Sequence, residues 1–207
     1  MRAPLIVIEG LDRSGKSTQT SKLVERLEDT GRSVKLIKFP DRTTSIGKLI
    51  DQYLKSCEYK LSDESIHLLF SANRWELHDK IIDLLTKQSK IVVLDRYVYS
   101  GVAYSSAKGL GFQWCLNPDI GMPKPDITIF LKFNDIVQTT ARAGFGDERY
   151  EVTEFQTEVR DQFTKFESFP EWHNVYVDNK SIDEVHDEIW NLVKPVIDGI
   201  NEEIQKF

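Results

Sequence analysis

The chain has 207 residues, 40% of them hydrophobic, which suffices for one full core and leaves no room for a second domain. A formal net charge of −6 argues against a surface for duplex nucleic acid, so any anion site must be built from a few local cations. No 20-residue apolar span or leader-like pattern occurs, and Cys57 and Cys115 lack metal-ligand or C-x-x-C spacing; a cytoplasmic protein follows, with the nucleus as the alternative, and with neither membrane nor nucleic-acid polymer as partner.

The first apolar run, 5–8, leads directly into Gly10-Leu11-Asp12-Arg13-Ser14-Gly15-Lys16-Ser17, which fits G-x-x-x-x-G-K-[ST]. In this pattern the glycines let successive backbone N–H groups point at nucleotide phosphates, Lys16 reaches the outer phosphates, and the Ser17 hydroxyl is placed for a magnesium ion. A helical pattern over 15–30 sets Leu23, Val24 and Leu27 on one stripe and stops at Gly31, read as its C-cap. Further strands are expected at 34–39, 91–94, 127–131 and 175–177, most of them continuously apolar, as in a parallel sheet covered on both faces. Helices are expected at 46–55, 64–86, 135–141, 154–169 and 182–205. The second of these has Ser62 as its N-cap and turns Ile66, Leu69, Phe70, Leu77, Ile81 and Leu84 inward. Strands alternating with helices predict right-handed crossovers and an α/β fold: a doubly wound five-stranded parallel sheet with helices on both faces, in one domain over 1–207.

Ligands of such sheets sit beyond the carboxyl ends of the strands. Strand two runs into Phe39-Pro40-Asp41-Arg42 and strand three into Asp95-Arg96-Tyr97, so Arg42 and Arg96 converge on the crevice of Lys16. That is more cation than one triphosphate needs, and it implies a second phosphorylated ligand. Arg42 taken alone is either a solvated loop charge or a bidentate phosphate clamp. Asp95 caps the following helix, orients the magnesium shell opposite Ser17, or does both. Phe70 and Arg74 lie four apart on one helical face, where a ring and a fork of donors can stack on a base and read its carbonyl; Trp75 reads as core. The segment 142–151 is either a solvated loop or a lid that excludes water from phosphoryl transfer.

These residues, with Leu68-Leu69-Phe70-Ser71-Ala72-Asn73-Arg74-Trp75, Ser100-Gly101-Val102-Ala103-Tyr104 and Pro123-Lys124-Pro125-Asp126, make the chain resemble the thymidylate kinases of the eukaryotic type, most of all a fungal one. The resemblance implies a P-loop NTPase fold of the nucleoside monophosphate kinase kind, with a lid at about 134–156. It implies transfer of the ATP γ-phosphoryl group to thymidine 5′-monophosphate (dTMP), with Mg2+ and as a homodimer. Carried over position by position, Arg13, Ser14, Gly15, Lys16, Ser17, Thr18 and Arg96 serve ATP, with Arg142 and Lys180 on the adenine side. Arg42 holds the acceptor phosphate beside Phe39 and Pro40, Phe70 stacks on thymine, and Arg74 donates to its O4. Asp12 receives the sugar 3′-hydroxyl, while Tyr104, near Ser100 and Gly101, packs on the deoxyribose. Arg96 bridges the phosphates, Asp95 organises the magnesium waters with Ser17, and Tyr150 and Gln156 close on the acceptor. The catalytic set is then Lys16, Arg13, Arg96 and Asp12, with Arg149 in the lid as a possible sharer of the role of Arg13. Asp41 departs from the glutamate common in the family.

Two rival readings fare worse. A guanine-nucleotide switch needs N-K-x-D, and Asn179-Lys180-Ser181-Ile182-Asp183 places its acid one residue late. A nucleoside kinase needs a base for a neutral hydroxyl, whereas Arg42 offers a cation where the acceptor sits.

Overall fold

Runs rich in β-branched residues and leucine make the five strands of the computed structural model, which describes residues 1–56, 58–134 and 148–207. The strands are β1 (Leu5–Gly10), β2 (Val34–Lys38), β3 (Ile91–Asp95), β4 (Ile127–Lys132) and β5 (Trp172–Tyr176). They pair in the order β2-β3-β1-β4-β5, every neighbour parallel. β1 and β3 are buried along their whole length and β4 along all but its last residue, while β2 and β5 at the edges are buried only in part. β5 begins earlier than the expected 175, because pairing with β4 draws Trp172 and His173 into the ladder.

Alternate residues of a strand face opposite sides, so each side of the sheet acquires its own core. Ile6, Ile8, Val93 and Ile129 pack with α1 (Lys16–Asp29) and α8 (Ile182–Val193) on one side. Leu5, Val7, Leu94 and Phe130 face the other side. There they meet α2 (Ser45–Lys55), α3 (Asp63–Trp75), α4 (His78–Thr86), α5 (Val98–Ser106), α6 (Phe112–Leu116) and α7 (Thr153–Phe163). Each fully buried Leu or Ile stabilises this arrangement by about 1.5–3 kcal/mol. Leu23 and Leu27 of α1 are fully buried, with Val24 half-buried beside them. Among the described residues no helix is long and apolar enough to cross a membrane.

Several boundaries differ from the expectation. α1 ends at Asp29 with Thr30 as its cap, and Gly31 is the residue beyond. With φ of 79°, Gly31 closes a Schellman turn: its N–H donates to the Glu28 carbonyl, and that of Arg32 to the Leu27 carbonyl. The helix expected over 64–86 is two helices. Ser62 does cap α3 by accepting from the Ser65 N–H, but the chain turns at Glu76 and Leu77, the Leu77 N–H donating to the Arg74 carbonyl. Neither Gly nor Pro marks that break. It is fixed from outside by Asn73, whose amide donates to the Asp41 carbonyl and the Glu76 carboxylate. Ile66, Ile81 and Leu84 are buried as expected, whereas Leu69, Phe70 and Leu77 are only partly so. The pattern over 154–169 stops at Phe163, passing into a 3₁₀ turn at Thr164–Phe166. That over 182–205 stops at Val193, ahead of Pro195 and of Gly199 at φ of 104°. The remaining tail instead pairs Ile200 with Arg2 and Lys206 with Pro123, and sets the Phe207 ring against Tyr97 and Tyr99. Cys57, the helix expected over 135–141 and the part of the expected lid up to residue 147, Arg142 included, lie outside the described residues.

Candidate active site

A cavity of about 1120 Å³ opens beyond the carboxyl ends of β1 and β3. Its lining brings together the phosphate-loop residues Asp12 to Thr18, the segment of Phe39, Pro40 and Arg42 after β2, and Phe70, Arg74, Ser100, Gly101, Tyr104 and Tyr150.

The loop is shaped by its glycines. Gly10 has φ of 153°, and a β-carbon there would lie 2.6 Å from Ser14 Oγ and 3.0 Å from the Leu131 carbonyl, so the turn admits no side chain. Gly15, at φ of 92°, stands at the N-cap of α1 and brings no side chain to cap it, which leaves the first backbone N–H groups of the helix to face an anion. Lys16 is buried, and Nζ donates to the Leu11 carbonyl at 2.5 Å. Burial, helped by the neighbouring Arg96, lowers its pKa to about 8 against the pull of Asp12, Asp95 and Glu9. Lys16 is therefore still cationic at neutral pH and unusually poor in solvation.

Asp95 does not cap α5, whose N-cap is Tyr97 without a side-chain bond. Its carboxylate instead accepts from the Ser17 hydroxyl at 2.9 Å. A hydroxyl and a carboxylate side by side are hard oxygen donors of the kind Mg2+ takes, with phosphate and water oxygens completing its shell.

Capping of α5 falls to Glu9, which lies between the apolar run 5–8 and the phosphate-loop motif. Wholly buried at the end of β1, its carboxylate accepts from the N–H groups of Tyr97 and Ser100, at 2.8 and 3.1 Å, and from the Ser100 hydroxyl at 2.6 Å. Burial pushes its pKa up. The visible signal was an acid closing an otherwise apolar strand.

Arg96, in the left-handed region at φ of 68°, reaches from this turn to the Asp12 carboxylate, to the Gly10 carbonyl at 3.2 Å and to Ser100 Oγ at 3.1 Å. Burial opposes its charge, but Tyr104, Asp12, Glu9 and Asp95 more than offset it and raise the pKa. Asp12 shows the reverse balance: burial raises its pKa, Arg96 and Lys16 outweigh that, and the carboxylate stays ionised below the usual range. The Tyr104 hydroxyl donates to Asp12 at 2.9 Å, and the buried Gln156 amide donates to Asp12 at 2.8 Å and to the Tyr150 carbonyl at 2.9 Å. Tyr150 packs against the rings of Tyr53, Tyr104 and Phe155.

Two cations meet carboxylates of the segment after 147. Arg42 grips Glu148 through both terminal nitrogens, at 2.8 and 3.1 Å, and Asp51 through one at 2.8 Å, while its side chain remains 37% exposed. Its hydrogen bond to Glu148 is the main cause of a raised pKa. Arg13, itself at φ of 59°, donates from Nε to Glu151 at 2.9 Å.

Phe70 and Arg74 do face the same cavity. Arg74 is almost completely buried, and its Nε and Nη2 donate to the two oxygens of Asp119 at 2.8 and 2.5 Å. Gly101 leaves room for it, since a β-carbon there would lie 2.7 Å from both Nη1 and Nη2. The sequence carries no signal for Asp119. It lies 45 residues from Arg74 with no motif around it.

One expectation fails, and two further residues are engaged with other groups. Trp75 is exposed at 38% and donates from Nε1 to the Pro118 carbonyl, because the break after it turns the ring away from the core. Lys180 does not line the cavity and pairs with Glu188 at 2.6 Å. Arg149 is no partner for Arg13: it lies 4.0 Å over the Tyr53 ring and donates to the carbonyls of Tyr53, Ser56 and Tyr59, pinned to the end of α2.

The sequence profile of the thymidylate kinases matches residues 8–189. A thymidylate kinase of Schizosaccharomyces pombe is 47% identical over 199 residues, covering 94% of this chain and 93% of its own length. The human thymidylate kinase is 43% identical over 199 residues, covering 95% and 92%. The solved structure of thymidylate kinase from Candida albicans matches with a TM-score of 0.90 at 45% identity, covering 100% of this chain and 98% of its own. Matched by the family profile over residues 8–189 and by relatives along nearly its whole length, this chain belongs to the thymidylate kinase family.

Proposed function

We propose that the protein transfers the γ-phosphoryl group of ATP to dTMP, giving dTDP and ADP on the route to dTTP. The observation that carries this reading is a second candidate anion site: Arg42 lines the same cavity as the loop of Lys16, together with Phe70 and Arg74. Two phosphate-bearing ligands fit such a cavity end to end, one on the loop and one on Arg42.

The acceptor oxygen is already a nucleophile at neutral pH, so the residues position it and neutralise charge. Ser14, Gly15, Lys16, Ser17 and Thr18 cradle the donor phosphates. Arg42 fixes the acceptor phosphate, with Glu148 and Asp51 giving way to it, and Arg96 spans the two ligands. Arg13 meets the group in flight, a contribution of about 10³ to 10⁵ in turnover for an arginine in related transfers. Ser17 and Asp95, joined by a hydrogen bond, would hold Mg2+, which when bound would supply further charge neutralisation. Asp12, held by Arg96, Tyr104 and Gln156, receives the sugar 3′-hydroxyl. Residues 134–156 act as the lid of a single domain, and the protein works in the cytoplasm.

A coupled ADP-release assay with ATP and Mg2+ tests the acceptor. Of a panel of nucleoside monophosphates and thymidine, dTMP should give the highest kcat/KM. Preference for thymidine, or no release with any monophosphate, contradicts the reading.

We also propose a homodimer. Leu68 and Trp75 lie seven apart on α3, and they are exposed together with Leu49, Trp114 and Ile120 on neighbouring elements. Sedimentation should give twice the chain mass of 23.9 kDa. A monomer at micromolar concentration rules it out.

A further inference from the structure

We propose that Asp119 is the positioning residue behind base selectivity: its buried carboxylate fixes the Arg74 guanidinium so that it donates to a base carbonyl and cannot turn away from an amine. The inference rests on Arg74 reading the base, and it assigns the selectivity to the pair instead of to the arginine alone.

A guanidinium carries five N–H donors and no acceptor. Asp119 takes one from Nε and one from Nη2, at 2.8 and 2.5 Å, in a fork-to-fork contact that sets the plane of the group. The donors that remain are on Nη1 and the second position of Nη2, and both nitrogens lie against the backbone of Gly101 at the wall of the cavity. Asp119 is itself immobilised. It is fully buried, it accepts from the Ser71 hydroxyl at 3.1 Å, and the preceding Pro118 carbonyl accepts from Ser71 and from Trp75 Nε1, at 3.1 and 2.7 Å. Three donors of α3 thus hold the turn at Asn117–Asp119 in place.

Such a pair is a poor device for stability. Withdrawing both charges from water costs about as much as their attraction returns, and apolar replacements are often neutral or better. Its use is orientation. A donor-only head on a long, flexible stem rejects an amine only if it has nowhere else to go; a free arginine would swing toward water and tolerate cytosine. Held by Asp119, it leaves donor facing donor when cytosine enters, and a satisfied hydrogen bond when thymine does.

The test compares kcat/KM for dTMP and dCMP in the parent, Asp119→Asn, Arg74→Ala and the double variant. Both acceptors are measured on one preparation, so the ratio is independent of the fraction of folded enzyme and a merely structural role does not move it. Asp119→Asn keeps the shape but breaks the fork, and the dTMP to dCMP ratio should fall by about tenfold or more. The fall should appear mainly as a higher KM for dTMP with kcat kept within about threefold, and Arg74→Ala should add nothing further in the double variant. A ratio within about twofold of the parent in Asp119→Asn, beside a collapsed ratio in Arg74→Ala, overturns the role of Asp119 alone. An unchanged ratio in Arg74→Ala overturns instead the reading of Arg74, and this inference with it. If Asp119→Asn does not fold, Ser71→Ala decides: it leaves both charges but removes the hydroxyl that anchors the carboxylate, and the ratio should fall by about threefold or more, an unchanged ratio counting against the proposal.

Discussion

Arg42 already holds oxyanions on two sides, Glu148 through a fork and Asp51 through a single bond. A phosphate presents the same oxygens with more charge, so it should displace the carboxylates without moving the guanidinium. Phosphate carries no base identity, and Arg42→Ala should therefore weaken every nucleoside monophosphate about equally. Loss of a charged hydrogen-bond partner corresponds to about 1.5 to 3 kcal/mol in kcat/KM. A loss that varies with the base by more than about threefold would show that Arg42 reads more than phosphate. Lys16, Ser17, Asp95, Arg96 and Arg42 were legible in the sequence because each sits within a few residues of a strand end, where chain order itself places side chains in the crevice. Their partners were not. Glu9 closes an apolar strand without a motif, and Asp119, Glu148 and Glu151 meet their arginines across 45, 106 and 138 residues, a distance that no local pattern encodes. The Tyr104 ring was expected against the sugar, but nothing in its position in the chain announced that its hydroxyl would donate to Asp12.

At the level of elements, legibility follows the strength of local punctuation. β1, β3 and β4 are continuous apolar runs in the middle of the sheet, and they formed within two residues of expectation. α2 and α3 began where Thr44 and Ser62 accept from the N–H groups of Gly47 and Ser65. Element ends were harder where tertiary contacts set them. The break at Glu76 and Leu77 depends on Asn73 bridging to the loop after β2, and it leaves Arg74 at the last turn of α3, facing the cavity. Had α3 and α4 been one straight helix, Trp75 could not have turned outward to Pro118. The five-residue α6 is too short for a periodic signal, yet it leads into the turn that carries Asp119. Pro195 and Gly199 did mark the end of α8, but the periodicity of later apolar residues masked them.

The molecule as a whole carries a net charge of −6 and concentrates its working cations at one place. Lys16, Arg13, Arg42, Arg74 and Arg96 all line one cavity at the carboxyl ends of the parallel strands, each beside a carboxylate that keeps it charged or oriented. Both faces of the sheet are sealed by their own core, so the crevice at its end is where ligand and helix N-terminus meet. What separates the proposed arrangement from a nucleotide-binding switch is a second anion site at Arg42, with a phosphoryl group passing between it and the loop of Lys16. The most direct test follows the phosphorus itself. With γ-labelled ATP, Mg2+ and dTMP, the label should appear on the β-phosphorus of dTDP, one equivalent for each ADP formed. Label recovered as inorganic phosphate, or on the 5′-oxygen of added thymidine in preference to dTMP, would contradict it.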